Sequence, residues 1–252
     1  MENKQELCAA MRQRANLYRF LSRIYILEVD EKLLKQMKGM AFPAEPSDTD
    51  LRDGYEKLEE YLAGVHFSDG AVACERDGAK KDAATVDGIT GDDGAGQDGN
   101  IAEKITELEV EYARIFLAAG VAQGTAAFPY ESVYTNKKHL VNQEACDDLT
   151  ALYAAKGLTP REDMYRIPDD HAGLEFEYMA RLCDRAISVC ESGDEAVLDA
   201  LIQEQKKFFE QHLRRWVPLF GGDIAKHAQT AFYDGIGKIT RGFMVQETAF
   251  LK

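Results

Sequence analysis

The sequence predicts an all-α fold, a single bundle of about nine or ten helices. Three observations predict it. Apolar residues recur three and four apart through most of the chain. No stretch keeps the two-residue alternation of a half-buried strand. No unit repeats at a fixed period, which sets solenoids aside. With 252 residues, 45% of them hydrophobic, the chain can bury one large core or two smaller ones.

The first helix is expected from Leu7 through Leu27, where Leu7, Met11, Leu17, Phe20, Leu21 and Ile24 recur at helical spacing. Arg12, Arg14, Arg19 and Arg23 fill the remaining positions and read as a solvated face. Val29 to Leu34 opens a short second helix that Gly39 ends. After Pro43 and Pro46, Ser47 or Asp48 caps a third helix through Leu51, Tyr55, Leu58 and Leu62. From Ser68 to Asn100 there is no aromatic residue, and acids outnumber bases eight to three. So little apolar surface cannot offset the entropy of ordering, and an acidic, Gly-rich disordered insertion is expected. Its alternating Asp and Gly lack the twelfth-position Glu of a calcium loop.

Helix is expected again from about Ile101, with Ile105, Leu108, Tyr112, Ile115 and Phe116 on a wide apolar face. A small-residue loop, Gly120–Ala127, leads into Phe128-Pro129-Tyr130-Glu131-Ser132-Val133-Tyr134. A helix from about Gln143 to Lys156 stops at Gly157. A polar linker follows, then a helix from Asp169 or Asp170 to about Cys190. The next runs from Glu195 to Trp216 and ends at Pro218. The last helical material spans Ile224 to Phe250, interrupted at Gly235, Gly237 and Gly242.

The net charge of −14 repels phosphate backbones, which excludes nucleic acid and suits a basic partner such as an Arg-containing peptide. Five cysteines, an odd number with no C-x-x-C pair, argue against a disulfide framework and a metal site. Cys183 and Cys190 read as small core residues in a reducing compartment. The polar N-terminus and the lack of a long apolar run lead to the expectation of a soluble, cytoplasmic protein.

Pro168-Asp169-Asp170-His171 is the strongest candidate site. As catalysis it is poor, because neighbours at i and i+1 do not face each other on a helix and no nucleophile stands in an elbow. As a metal site it offers only His171 and Glu175, without a third ligand. A helix cap by Asp169 or Asp170, with a hinge at Pro168, explains the acids but not the histidine. Phe128–Tyr134 reads either as an aromatic grip for a peptide or as a core-lining turn. No phosphate loop is present, and Gly91–Gly99 reads as a flexible segment.

Several motifs then occur together and in order. Tyr112-Ala113-Arg114-Ile115-Phe116 resembles Y-x-x-L-F. Pro129-Tyr130-Glu131-Ser132-Val133-Tyr134 resembles P-[WY]-x-S-V-[WY]. Pro168-x-Asp170-His171, followed by Phe176-Glu177-Tyr178-Met179, resembles E-P-x-D-H-x-x-x-x-L-E-F-M. His212-Leu213-x-x-Trp216-x-Pro218-x-Phe220, with Phe232-Tyr233, is similar to the closing segment. Together, over roughly residues 7–62 and 105–245, these resemble the TorD/DmsD family of redox-enzyme maturation chaperones, to which NarJ is related.

The resemblance implies a TorD-like helical fold in two hinged subdomains, here 1–157 and 169–252, joined by a linker at 158–168. It implies a cytoplasmic chaperone, not an enzyme, without cofactor or metal. Such a protein binds the twin-arginine signal peptide of a molybdenum-cofactor oxidoreductase of the DMSO reductase family and holds the catalytic subunit until the cofactor is inserted. Tyr112, Phe116, Pro129, Tyr130, Ser132, Tyr134, Pro168, Asp170 and His171 carry over as groove residues, with Asp170 and His171 turned toward the peptide. The family's leading Glu is Ile167 here. The alternatives are a NarJ-like chaperone for a non-exported subunit and, in another class, a metal- or nucleotide-dependent hydrolase. Monomer and domain-swapped dimer both fit hinged halves.

Overall fold

The computed structural model describes residues 2–43, 46, 48–67, 95–117, 119–158 and 167–252. Most of the expected acidic insertion (68–94) and most of the expected hinge (159–166) lie outside the described residues. The described chain is all-α: α1 (Glu2–Ile26), α2 (Glu31–Lys38), α3 (Thr49–Ala63), α4 (Ala95–Phe116), α5 (Glu131–Thr135), α6 (Glu144–Ala155), α7 (Ala172–Ser192), α8 (Glu195–Gln211), α9 (Leu213–His227) and α10 (Ala231–Phe250). No strand occurs among the described residues; the single β-type pairing is an isolated bridge between Tyr130 and His171. No helix of the described residues is long and apolar enough to cross a membrane.

Local chemistry sets several boundaries. Asp30 caps α2 by accepting the N–H of Leu33, and Asp48 caps α3 by accepting that of Leu51. Gly157, at φ +66°, follows the end of α6. α4 begins at Ala95, several residues earlier than apolar periodicity indicates.

The halves of the chain share one core. α1 runs antiparallel along α7: Ser22 near the end of α1 donates to the Gly173 carbonyl at the start of α7, while Cys8 bonds to Cys190 at the other end. α3 packs on α10, and α10 on α9. At the centre, Phe116, Phe176 and Phe220 pack around Tyr25, with ring centroids 5.0–5.9 Å away. Burial of this aromatic surface supplies the main driving force of folding.

The glycines of α10 do not interrupt it. They are where neighbouring backbones touch. A Cβ on Gly235 would lie 2.8 Å from the Gly54 carbonyl oxygen of α3. One on Gly237 would lie 2.7 Å from the Gly221 carbonyl oxygen of α9. Each mid-helix glycine costs about 1 kcal/mol of propensity, offset by the close helix packing it permits.

Four further expectations are corrected. The break between α8 and α9 falls at His212, whose ψ of −86° leaves the helical region, and α9 runs on through Pro218. The helix breaks where the His212 ring is held by the distant Glu131 carboxylate. Arg14 is not on a solvated face: it is buried and forms a two-pronged ion pair with Glu247, with both contacts at 2.6 Å. Cys8 and Cys190 form a disulfide, 182 residues apart, because the antiparallel pairing of α1 and α7 brings their Cα atoms to 6.4 Å. Cys183 stays a free, buried thiol. Finally, neither Asp169 nor Asp170 caps α7. The cap is His171, whose Nδ1 accepts the Gly173 N–H at 3.1 Å.

Candidate functional site

The segment before α5 and the segment before α7 are stitched together. The Ala172 N–H donates to the Pro129 carbonyl at 2.8 Å, and the Glu131 N–H to the Asp170 carbonyl at 2.9 Å. Asp170 Oδ2 then accepts the Ser132 N–H at 2.9 Å. Asp170 thus caps the first turn of α5, not its own helix, supplying the acceptor that free N-terminal N–H groups require. The Ser132 hydroxyl accepts the Gln143 N–H, which brings α6 alongside α5. Asp169 accepts the Thr150 hydroxyl from α6.

This stitching brings together Pro129, Tyr130, Ser132, Pro168, Asp170 and His171, six of the nine residues that the resemblance carries over. It also buries several of them. Asp170 is fully buried and His171 nearly so, so the pair does not face solvent. The Tyr130 ring meets His171 edge-on at 5.1 Å. Burial lowers the His171 pKa to about 3, so its imidazole is neutral and its Nδ1 free to accept as a cap. Tyr134 is half-buried and donates to Asp223. Tyr112 and Phe116 lie elsewhere, in the core: the Tyr112 hydroxyl donates to the Tyr25 carbonyl, and Phe116 packs on Tyr25 and Tyr233.

Behind this bridge lie three buried carboxylates: Glu131, Asp170 and Glu175. Glu131 Oε2 accepts from His212 Nδ1 at 2.8 Å, and its Oε1 stands 3.7 Å from the Arg215 guanidinium. Glu175 Oε2 accepts the Trp216 indole N–H at 3.3 Å. One oxygen of each, Glu131 Oε1, Asp170 Oδ1 and Glu175 Oε1, has no hydrogen-bond partner. Desolvation, reinforced by the charges of Glu131 and Asp170, holds the Glu175 pKa well above the usual carboxylate range.

Glu131 opens onto a cleft of about 170 Å³ between α5, α6 and the junction of α8 with α9. Its remaining walls include Asn136, Gln143, Glu144, Asp148, His212 and Arg215. Glu144 and Asp148 are exposed and make no ion pair among the described residues. Leu140 and Val141 stand exposed in the loop that leads into the cleft at Gln143, and Leu219 is exposed one turn beyond Arg215 on α9. An acidic hollow bordered by apolar side chains can hold a cationic head group and an adjoining apolar segment. No group of His, Cys, Asp and Glu among the described residues could hold a metal ion. Sequence reasoning missed the cleft-facing roles of Glu131, His212 and Arg215. The signal was present in part, since Glu131 and His212 both sit inside the quoted motifs.

A family model described as nitrate reductase delta subunit matches residues 92–221. Similar curated proteins include a "Chaperone protein TorD" from Vibrio cholerae, 28% identical over 141 residues, covering 56% of this chain and 60% of that protein. A protein of the same name from Photobacterium profundum is 27% identical over 145 residues, or 58% of this chain and 64% of that one. Another, from Actinobacillus pleuropneumoniae, is 26% identical over 144 residues, covering 57% and 63%. The chain therefore spans about three fifths of the length of the relatives it matches.

Proposed function

The chain belongs to the nitrate reductase delta subunit family, and from that premise we propose that it is a cytoplasmic chaperone for a redox enzyme, a binding protein and not a catalyst. Its client is a molybdenum-cofactor oxidoreductase subunit, bound through a twin-arginine signal peptide until the cofactor is in place. The observation that carries this reading is the acidic cleft under Glu131, Glu144 and Asp148, flanked by exposed Leu140, Val141 and Leu219. A twin-arginine leader has the complementary order, an arginine pair followed by an apolar stretch. The names of the TorD relatives support the same reading.

Asp170, His171, Pro129 and Ser132 serve this site from behind. They fix α5 against the start of α7 and so hold Glu131 at the cleft, while Tyr130 and Tyr134 lend partly exposed aromatic edges.

The test is titration of the full chain with the leader peptide of a molybdoenzyme encoded beside it. Saturable binding that weakens when the two arginines become lysines is expected, because lysine cannot reproduce the planar, two-pronged fork. Absence of binding to both leader and full client rejects the proposal. A second reading, prompted by a family model named for a nitrate reductase subunit, is an assembly chaperone for a non-exported subunit. Binding of the client with indifference to the lysine exchange selects that reading.

A further inference from the structure

We propose that the cleft under Glu131 is a guanidinium site held in reserve by an internal substitute, the side chain of Arg215. This rests on the chaperone reading for its biological ligand, but not for its chemistry. Glu131 is fully buried, lines the cleft, and keeps Oε1 without a hydrogen bond. A buried carboxylate oxygen left so is costly, on the order of 1–3 kcal/mol, unless a ligand completes it. The nearest cation does not complete it. Arg215 Nη1 stands 3.7 Å away, beyond hydrogen-bond length, and its side chain is 56% exposed. Its fixed neighbour His212 already satisfies Oε2.

The rest of the hollow suits the same ligand. Glu144 and Asp148, which make no ion pair among the described residues, add carboxylates at the walls, and Gln143 adds an amide group, whereas the Asn136 amide oxygen already accepts the Lys138 N–H. A guanidinium presents five N–H donors and no acceptor, so it matches a wall of acceptors. The volume, about 170 Å³, is below the roughly 300–1,000 Å³ of drug-sized ligand pockets. It holds a side-chain head group. An incoming arginine takes Oε1 in a direct charge-assisted bond, and Arg215 swings out to water. The exchange conserves charge at Glu131, so the buried carboxylate is never left bare.

The experiment uses acetyl-Arg-Arg-amide as probe, titrated calorimetrically into the full chain at low ionic strength. Glu131→Gln should weaken binding by about tenfold or more, the value of a charge-assisted bond. Arg215→Ala should tighten it by about two- to fivefold, since an exposed pair is easily displaced. Arg214→Ala removes the same charge from a neighbouring exposed position outside the cleft wall and should not tighten it. Acetyl-Lys-Lys-amide should bind more weakly than the arginine probe to every variant.

Unchanged or weaker binding in Arg215→Ala, or equal tightening in Arg214→Ala, overturns the reserve role. If Glu131→Gln does not fold, Asp148→Asn at the exposed wall takes its place and should weaken binding. Probe binding that survives that change as well overturns the site. The two proposals fail separately. A probe that behaves as stated while no leader binds leaves the site and removes the client. A leader that binds wild type and Glu131→Gln alike leaves the chaperone and removes the site.

Discussion

Two of the buried charge clusters among the described residues are built on opposite plans. Around Arg14, every strong group is answered. Its guanidinium meets both oxygens of Glu247 and the Gln205 amide oxygen, and Tyr18 donates to Glu247 at 2.7 Å. That cluster ties α1, α8 and α10. Around Glu131, three carboxylates crowd together, each with one unanswered oxygen, and one of them opens onto a cleft. The first arrangement holds the fold. The second is left incomplete beside a cleft, which is the contrast expected between a structural pair and the binding site proposed for Glu131.

The contrast can be broken most strongly at Glu247. Glu247→Leu leaves Arg14 charged and buried, and should cost about 3–5 kcal/mol in urea unfolding. Replacing Arg14 by Met in the same chain should recover most of that loss, since a packed apolar pair carries no desolvation penalty. The opposite sign is expected at Glu175. Folded Glu175 resists ionisation, whereas the unfolded chain ionises it above about 4.5. Its contribution to stability therefore falls as pH rises above that value, and Glu175→Gln should stabilise the protein at pH 7 by about 1–3 kcal/mol. A loss at Glu175 as large as at Glu247 would erase the distinction between the clusters.

The effect at His171 shows only when the pH is lowered. In the folded chain it protonates only near pH 3, in the unfolded chain near 6.5. Below about 6.5 the unfolded state takes up a proton that the folded state refuses, so stability drops as pH falls, by about 1.4 kcal/mol per unit. His171→Asn keeps a side-chain oxygen for the cap and removes this slope. The unfolding free energy of the variant relative to wild type, measured in urea at both pH values, should therefore move in the variant's favour by about 2 kcal/mol between pH 7 and pH 5.

What could be read along the chain, and what could not, follows the range of each interaction. Apolar spacing placed most helices, because amphipathic burial repeats every 3.6 residues whatever the partner. Asp48 was readable as a cap since its acceptor reaches a donor three residues on. Asp170 has the same side chain but caps another helix, so its neighbours in sequence mislead. Gly235 and Gly237 read as breaks because their partners, Gly54 and Gly221, come from other helices. Arg14 looked like a solvated residue because Glu247 is 233 positions away.

By itself the sequence determined the helical class, the acidity that suits a basic partner, and the motif set that marks the family. These depend on composition and short-range periodicity, which any folded arrangement must honour. Only the tertiary structure decided which carboxylates are answered and which are not. That depends on desolvation and on pairs such as Glu131 with His212, 81 residues apart, and such terms exist only once the helices have met.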